Sequence, residues 1–184
     1  MTLEFRAAQI ADATPIAELH AKSWIETFGD VLSEEYRSGA IFEDRAAIWQ
    51  ERLSAPPANQ FAVVAEEERR LAAFVCAYGA DDSRWGTLLD NLHVHSEWQG
   101  RGLGRSLMAR AADWCVAKYP EDGLYLLVLE QNKRARAFYE RLGATDVGGE
   151  TWVPPGFLDA PSRRYAWERD QVATIHRLAG EATG

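Results

Sequence analysis

Cysteine is scarce: the 184-residue chain carries two, Cys76 and Cys115. Each lies in an apolar segment and the pair lacks metal-ligand spacing. Two buried, reduced thiols are expected, with no disulfide framework and no metal site. Long hydrophobic runs are missing as well. None approaches the roughly 20 residues that span a bilayer, so no membrane partner is expected. The start, Met1-Thr-Leu-Glu-Phe-Arg, lacks the basic and apolar regions of a signal peptide, which points to the cytoplasm. Positive charge is in deficit, with 20 Lys and Arg against 28 Asp and Glu, a net charge of -8. A general nucleic-acid binder needs a basic face, so that class is set aside. A cationic amine ligand is compatible with the acidic balance. No internal repeat, low-complexity tract or domain linker is visible.

What is present is enough apolar residue, 47%, to build one sizeable core. Leu3 to Arg6 alternates as a first strand. Asp12 and Thr14-Pro15 read as the start of a helix, with Asp12 as its cap, carrying Ile16, Leu19, His20, Ser23, Trp24, Thr27 and Phe28. Ser33 would cap a short second helix, and Glu43 to Leu53 reads as a third. Gln60 to Glu66 and Leu71 to Tyr78 flank a charged turn as a hairpin, and Trp85 to His95 is a further strand. Leu103 to Lys118 is strongly amphipathic. Leu124 to Leu129 is short and wholly apolar, as a buried central strand should be. Arg134 to Leu142 is a helix ended by Gly143. Val147 to Val153 and Arg164 to Glu168 close the pattern as two strands. The expected organisation is one α/β domain over 1–170 and a tail over 171–184, helical or frayed.

The segment Leu92-His-Val-His-Ser-Glu-Trp-Gln-Gly-Arg-Gly-Leu-Gly-Arg runs from a strand through glycines into a helix. Glycines 100, 102 and 104 permit a sharp turn that gathers backbone N–H groups at the positive end of a helix. Such a turn suits a diphosphate, and Arg101 and Arg105 can add charged hydrogen bonds. The same glycines also suit a plain tight turn. Arg105 stands where a dinucleotide fingerprint needs its third glycine, and the Gly-Lys-Ser/Thr of a P-loop is absent.

Gln99-Gly-Arg-Gly-Leu-Gly resembles the acetyl-CoA loop of the GNAT superfamily of N-acetyltransferases. The preceding Asp90-Asn-Leu-His-Val-His and the strand Leu124 to Leu129 resemble the two family strands that splay apart. Asn132-Lys-Arg-Ala-Arg-Ala-Phe-Tyr-Glu-Arg-Leu-Gly-Ala resembles the family's N-x-x-A-x-x-F-Y-x-x-x-G motif. The resemblance is specific over about residues 60–150. It implies a mixed, mostly antiparallel sheet with helices on both faces. It implies acetyl-CoA as co-substrate, held by Leu92, His93 and Val94, by the loop Gln99, Gly100, Arg101, Gly102, Leu103, Gly104 and Arg105, and by Asn132.

Acetyl transfer to an amine needs a neutral nucleophile, a stabilised carbonyl oxygen and a proton for the departing thiolate. Tyr139 is the candidate acid that the resemblance points to; alone it reads as an ordinary half-buried tyrosine. A phenol near pKa 10 and a thiol near 8.5 differ by only about 2 kcal/mol in proton affinity. Asn132 is also a natural helix cap. Asp90 is the candidate base, acting through water, with His93 and His95 as rivals. Strict alternation groups Leu88, Asp90, Leu92 and Val94 on one face. The Val94 N–H is the candidate oxyanion donor. On the acceptor side Trp24, Phe28 and Trp152 are the first candidates, beside Tyr36, Phe157, Glu26, Asp30, Glu34 and Glu35. The function these features imply is acetylation of a primary amine of a small molecule, amino acid or peptide. A non-catalytic module that senses acetyl-CoA, an unrelated nucleotide binder and a homodimeric assembly stay open at this level.

Overall fold

The computed structural model describes residues 3–150, 156 and 161–181. Seven strands, β1 (Leu3–Ala7), β2 (Gln60–Glu67), β3 (Arg70–Asp82), β4 (Gly86–Val94), β5 (Leu124–Leu129), β6 (Thr145–Glu150) and β7 (Ser162–Trp167), form one open sheet. The spatial order is β1-β2-β3-β4-β5-β7-β6. Every neighbouring pair is antiparallel except β4 and β5, which run parallel. Helices α1 (Ala13–Phe28) and α2 (Ile41–Ser54) cover one face. Helix α3 (Leu103–Lys118) covers the other, with α4 (Lys133–Arg141), α5 (Arg169–Val172) and α6 (Ile175–Glu181). This is a mixed α/β fold with a mostly antiparallel sheet, as the motifs imply.

The period of each segment explains which face it buries. Along β3, Ala73, Val75 and Ala77 pack with Leu107, Met108 and Ala111 of α3. The intervening Phe74 and Cys76 pack with Ile16, Trp49 and Leu53 of α1 and α2. β5 is apolar throughout because it is covered on both sides: Leu124, Leu126 and Val128 join the α3 core, and Leu129 packs with Phe28 and Ile41. Both cysteines are buried and free. Burial pushes the Cys76 thiol up to about 11, so it is an inert core residue.

Two local expectations are corrected. Asp12 stands at the N-cap of α1, but its side chain makes no cap bond. Its carboxylate accepts the Gln9 N–H at 2.7 Å and two Arg6 bonds at 2.7 and 2.8 Å. A bidentate, charge-assisted pair outcompetes a neutral helix N–H. The short second helix follows Ser33 as expected, with Ser33 Oγ accepting the Tyr36 N–H at 3.3 Å, and its wide turn Tyr36–Ala40 meets α2 across a kink at Gly39. Strict alternation along β4 also fails. Cys76 stands opposite Asn91 and Ala77 opposite Leu89, leaving Asp90 as the extra residue of a bulge. Leu89, Leu92 and Val94 therefore share the α3 face, while Asp90 and Asn91 both reach Arg52 of α2.

Residues 171–181 are mostly helical and packed. Val172 and Ile175 are buried in the α3 core with Ala179. No helix among the described residues is long and apolar enough to cross a membrane.

Candidate active site

β4 and β5 pair only at Thr87 with Leu124 and Leu88 with Tyr125. Past that point the strands part. The gap opens into a cleft of about 820 Å³ lined by β4, β5, the Gly100–Arg105 turn, α1, α2 and α4. The His95 N–H bonds the Ala72 carbonyl on β3. Backbone groups alternate along a strand, so those of Leu92 and Val94 face the gap. The Val94 carbonyl there accepts Gln99 Nε2 at 3.2 Å.

One wall of the cleft has the features that suit an anion. Gly100 and Gly102 take φ of +78° and +81°, a region that L side chains rarely enter. No side chain caps α3 at Gly102, and the first helical bond runs from the Ser106 N–H to the Gly102 carbonyl. The preceding N–H groups thus meet the cleft at the positive end of the helix. Arg105 Nε is buried without a hydrogen-bond partner. A diphosphate fits this uncapped turn and this orphaned donor. Arg101 has a different position. Its guanidinium bonds Glu67 at 3.0 and 3.3 Å, and Trp98 Nε1 reaches the same carboxylate at 2.9 Å. Arg101 and the indole together hold the Glu67 carboxyl below its ordinary range. Arg101 pins the turn to the end of β2 and lies outside the cleft lining.

α4 adds Asn132, Phe138 and Tyr139 to the lining, with Phe138 beside Gly104. Asn132 Oδ1 accepts the Ala135 N–H at 3.1 Å, which makes it the cap of α4. Its Nδ2 bonds no described residue. Tyr139 is nine-tenths buried, edge-on to Phe138 at 5.2 Å and to Trp167 at 6.1 Å. Its hydroxyl also bonds no described residue, and burial raises it above its ordinary pKa.

The far end of the cleft is polar. Arg52 Nη1 pairs with Asp90 at 2.6 Å and bonds Asn91 Oδ1 at 3.0 Å. Burial alone would lower the Arg52 pKa, but Asp90, with Tyr78 and Cys76, more than offsets it. His93 stacks on Phe74 at 5.2 Å and lies 4.6 Å from the His20 ring. Burial and Arg45 bring His93 down to about 4. Burial, His93 and the two arginines hold His20 well below its usual value. Both rings are neutral near pH 7. His95 lies beyond β4, where Nδ1 accepts the Glu97 N–H at 3.3 Å.

The cleft thus gathers Asp90, Leu92, His93, Val94, Gln99, Gly100, Gly102, Leu103, Gly104, Arg105, Asn132, Tyr139, Trp24 and Phe28. Arg101 is not in that lining. Trp152 and Phe157 lie outside the described residues. Glu26 lines the mouth, whereas Asp30, Glu34 and Glu35 do not reach it. Tyr36 instead bonds Asp44. Arg45 and Arg52 line the cleft without a signal in the sequence, since an arginine within an amphipathic helix reads as its solvated face. Among the described residues, no group of three or more His, Cys, Asp or Glu could hold a metal ion.

A sheet parted between two parallel strands, with an uncapped glycine turn at the head of α3, is the arrangement that the sequence resemblance implies for a CoA-dependent acyltransferase. The Acetyltransferase (GNAT) family model matches residues 16–144, and the chain belongs to that family of acetyl-CoA-dependent acetyltransferases. The uncharacterized N-acetyltransferase YuaI of Bacillus subtilis (strain 168) is 22% identical over 130 residues, covering 69% of this chain and 72% of that one. The PaiA N-acetyltransferase of Thermoplasma acidophilum, solved in complex with coenzyme A, superimposes with a TM-score of 0.71 at 19% identity, over 91% of this chain and 100% of that one. Apo-form YjaB of Escherichia coli gives 0.66 at 24% identity, over 91% and 98%. These structures share the fold.

Proposed function

We propose that this protein is a single-domain cytoplasmic enzyme that acetylates a primary amine of a small molecule, amino acid or peptide by direct attack on the thioester. The observation that carries the reading is the Tyr139 hydroxyl, bonded to no described residue and in the same cleft as the uncapped head of α3. Acetyl-CoA supplies an activated carbonyl and a thiolate leaving group. The turn at Gly100–Arg105 binds its diphosphate, with the Arg105 Nε donor, and the backbone of Leu92 to Val94 and the Asn132 amide bind the arm. The Val94 N–H faces the gap and stabilises the carbonyl oxygen. The amine nitrogen bonds the acetyl carbon, the C–S bond breaks, and Tyr139 gives its proton to the sulfur. Burial makes Tyr139 a weaker acid, but the same surroundings raise the proton affinity of a thiolate, so part of the mismatch cancels. The ammonium proton leaves through water to Asp90, whose carboxylate Arg52 holds at the β4 bulge.

The test is a screen of amines with acetyl-CoA that follows thiol release and the acetylated product by mass spectrometry. Amine-dependent thiol release supports the reading. Tight coenzyme A binding with no turnover on any amine would make the protein a sensor.

A further inference from the structure

We infer that the acceptor carries a carboxylate as well as its amine, an amino acid rather than a polyamine, and that Arg45 and His20 bind that carboxylate. The inference rests on the acetyl-transfer reading of the cleft and specifies the substrate class.

Two buried donors at the acceptor end have nothing to bond. His20 is 1% exposed, and its Nδ1 accepts the Trp49 Nε1–H at 3.1 Å. An indole nitrogen only donates, so the hydrogen of the neutral imidazole sits on His20 Nε2. That atom is buried without a partner. Arg45 is 5% exposed, and its Nε is likewise buried and unpartnered. Both side chains line the cleft and meet at one ring: His20 lies 5.0 Å from Trp24, and the Arg45 guanidinium 4.7 Å from it. An unpaired buried donor costs about 1–3 kcal/mol, more for a charged group. An acceptor oxygen pair would satisfy both.

The charges at this end argue against a polycation. Asp44 is taken by Arg45 at 2.6 Å and by the Tyr36 hydroxyl, and Asp90 by Arg52. Glu26, exposed at the mouth, is the remaining acid of the lining. Trp24, an aromatic face of this lining, already carries the Arg45 guanidinium 4.7 Å from its ring. A spermidine-like chain would meet two guanidiniums, whereas an amino acid can set its carboxylate on Arg45 and its amine toward the thioester.

The experiment uses the full chain saturated with coenzyme A. The twenty L-α-amino acids, their carboxamides, the decarboxylated amines and spermidine are titrated by calorimetry and by tryptophan fluorescence. Thiol release from acetyl-CoA is followed for the same panel. At least one free amino acid should bind ten or more times tighter than its carboxamide and its amine, a preference that Arg45→Lys cuts below threefold with coenzyme A affinity unchanged. The carboxamide has the less basic amine and more of it neutral, so any turnover preference for the acid runs against intrinsic reactivity. Equal binding of acid and carboxamide across the panel, or spermidine as the best ligand, overturns the inference. The wild-type panel decides the matter even if Arg45→Lys does not fold. A carboxylate preference without thiol release supports the inference while the acetyl-transfer reading falls. Thiol release with no such preference does the reverse.

Discussion

His93 sits against Phe74 and His20 with Arg45 nearby, and its imidazole stays neutral down to a pKa of about 4. In the unfolded chain the same group titrates near 6.5. Between those values the unfolded chain binds more protons, so the folded state loses stability as pH falls through the window. Above 6.5 the contribution is fully retained. A tenfold difference in proton affinity between the two states is worth about 1.4 kcal/mol, so His93 accounts for about 2 kcal/mol lost between pH 7 and 5 and about 3 kcal/mol in full. A domain typically has only about 5–15 kcal/mol of stability, so acid should weaken this end of the cleft early. The perturbation is His93→Gln, which removes the titration and keeps a polar side chain. The assay is urea unfolding at half-unit steps from pH 8 to 4.5. Whatever the substitution costs at pH 8, the mutant's pH slope should be shallower by about 2 kcal/mol between pH 7 and 5. His20 titrates in both proteins and cancels to first order. Parallel curves, within about 0.5 kcal/mol, would refute the claim that His93 stays neutral in the folded state.

Gly102→Val should weaken coenzyme A binding at least tenfold by calorimetry. A β-branched residue is strained at φ +81° and blocks backbone approach to the diphosphate; equal affinity would remove the turn from the cofactor site. Trp49→Phe should cost about 1–3 kcal/mol in urea unfolding, because it leaves His20 Nδ1 buried and unpaired. Asp90→Asn should lower kcat/KM most below the pH at which the acceptor amine deprotonates and recover at high pH. A deficit that is flat with pH would limit Asp90 to its pairing with Arg52.

Segments whose period is set by their own residues are legible in the sequence. Leu103–Lys118 and Leu124–Leu129 have the bounds that the apolar pattern predicts, and Asn132 caps its helix as its residue type suggests. Contacts with distant partners are not legible. The Arg101 guanidinium pairs with Glu67, on a strand far back in the chain. The Asp12 carboxylate turns from its helix to Arg6 of β1. The β4 bulge leaves no trace in alternation, and it turns Asp90 toward Arg52 rather than to the side of Leu92. The acceptor end is the least legible, because Arg45 and Arg52 occupy helix positions where a solvated arginine is the ordinary expectation. Their burial follows from α2 crossing the mouth of the gap.

Acetyl transfer in this cleft with Tyr139 as the acid is the central claim, and a single-turnover measurement on Tyr139→Phe tests it most directly. Phenylalanine keeps the ring contacts to Phe138 and Trp167 and removes only the hydroxyl. With the best amine from the screen and enzyme in excess over acetyl-CoA, the rate of thiol release should fall by ~10²–10⁴-fold, the usual worth of a general acid. Coenzyme A affinity should stay within about twofold, because the lost group is needed only as the C–S bond breaks. A single-turnover rate within about threefold of wild type would contradict the claim and leave Tyr139 as packing against α3.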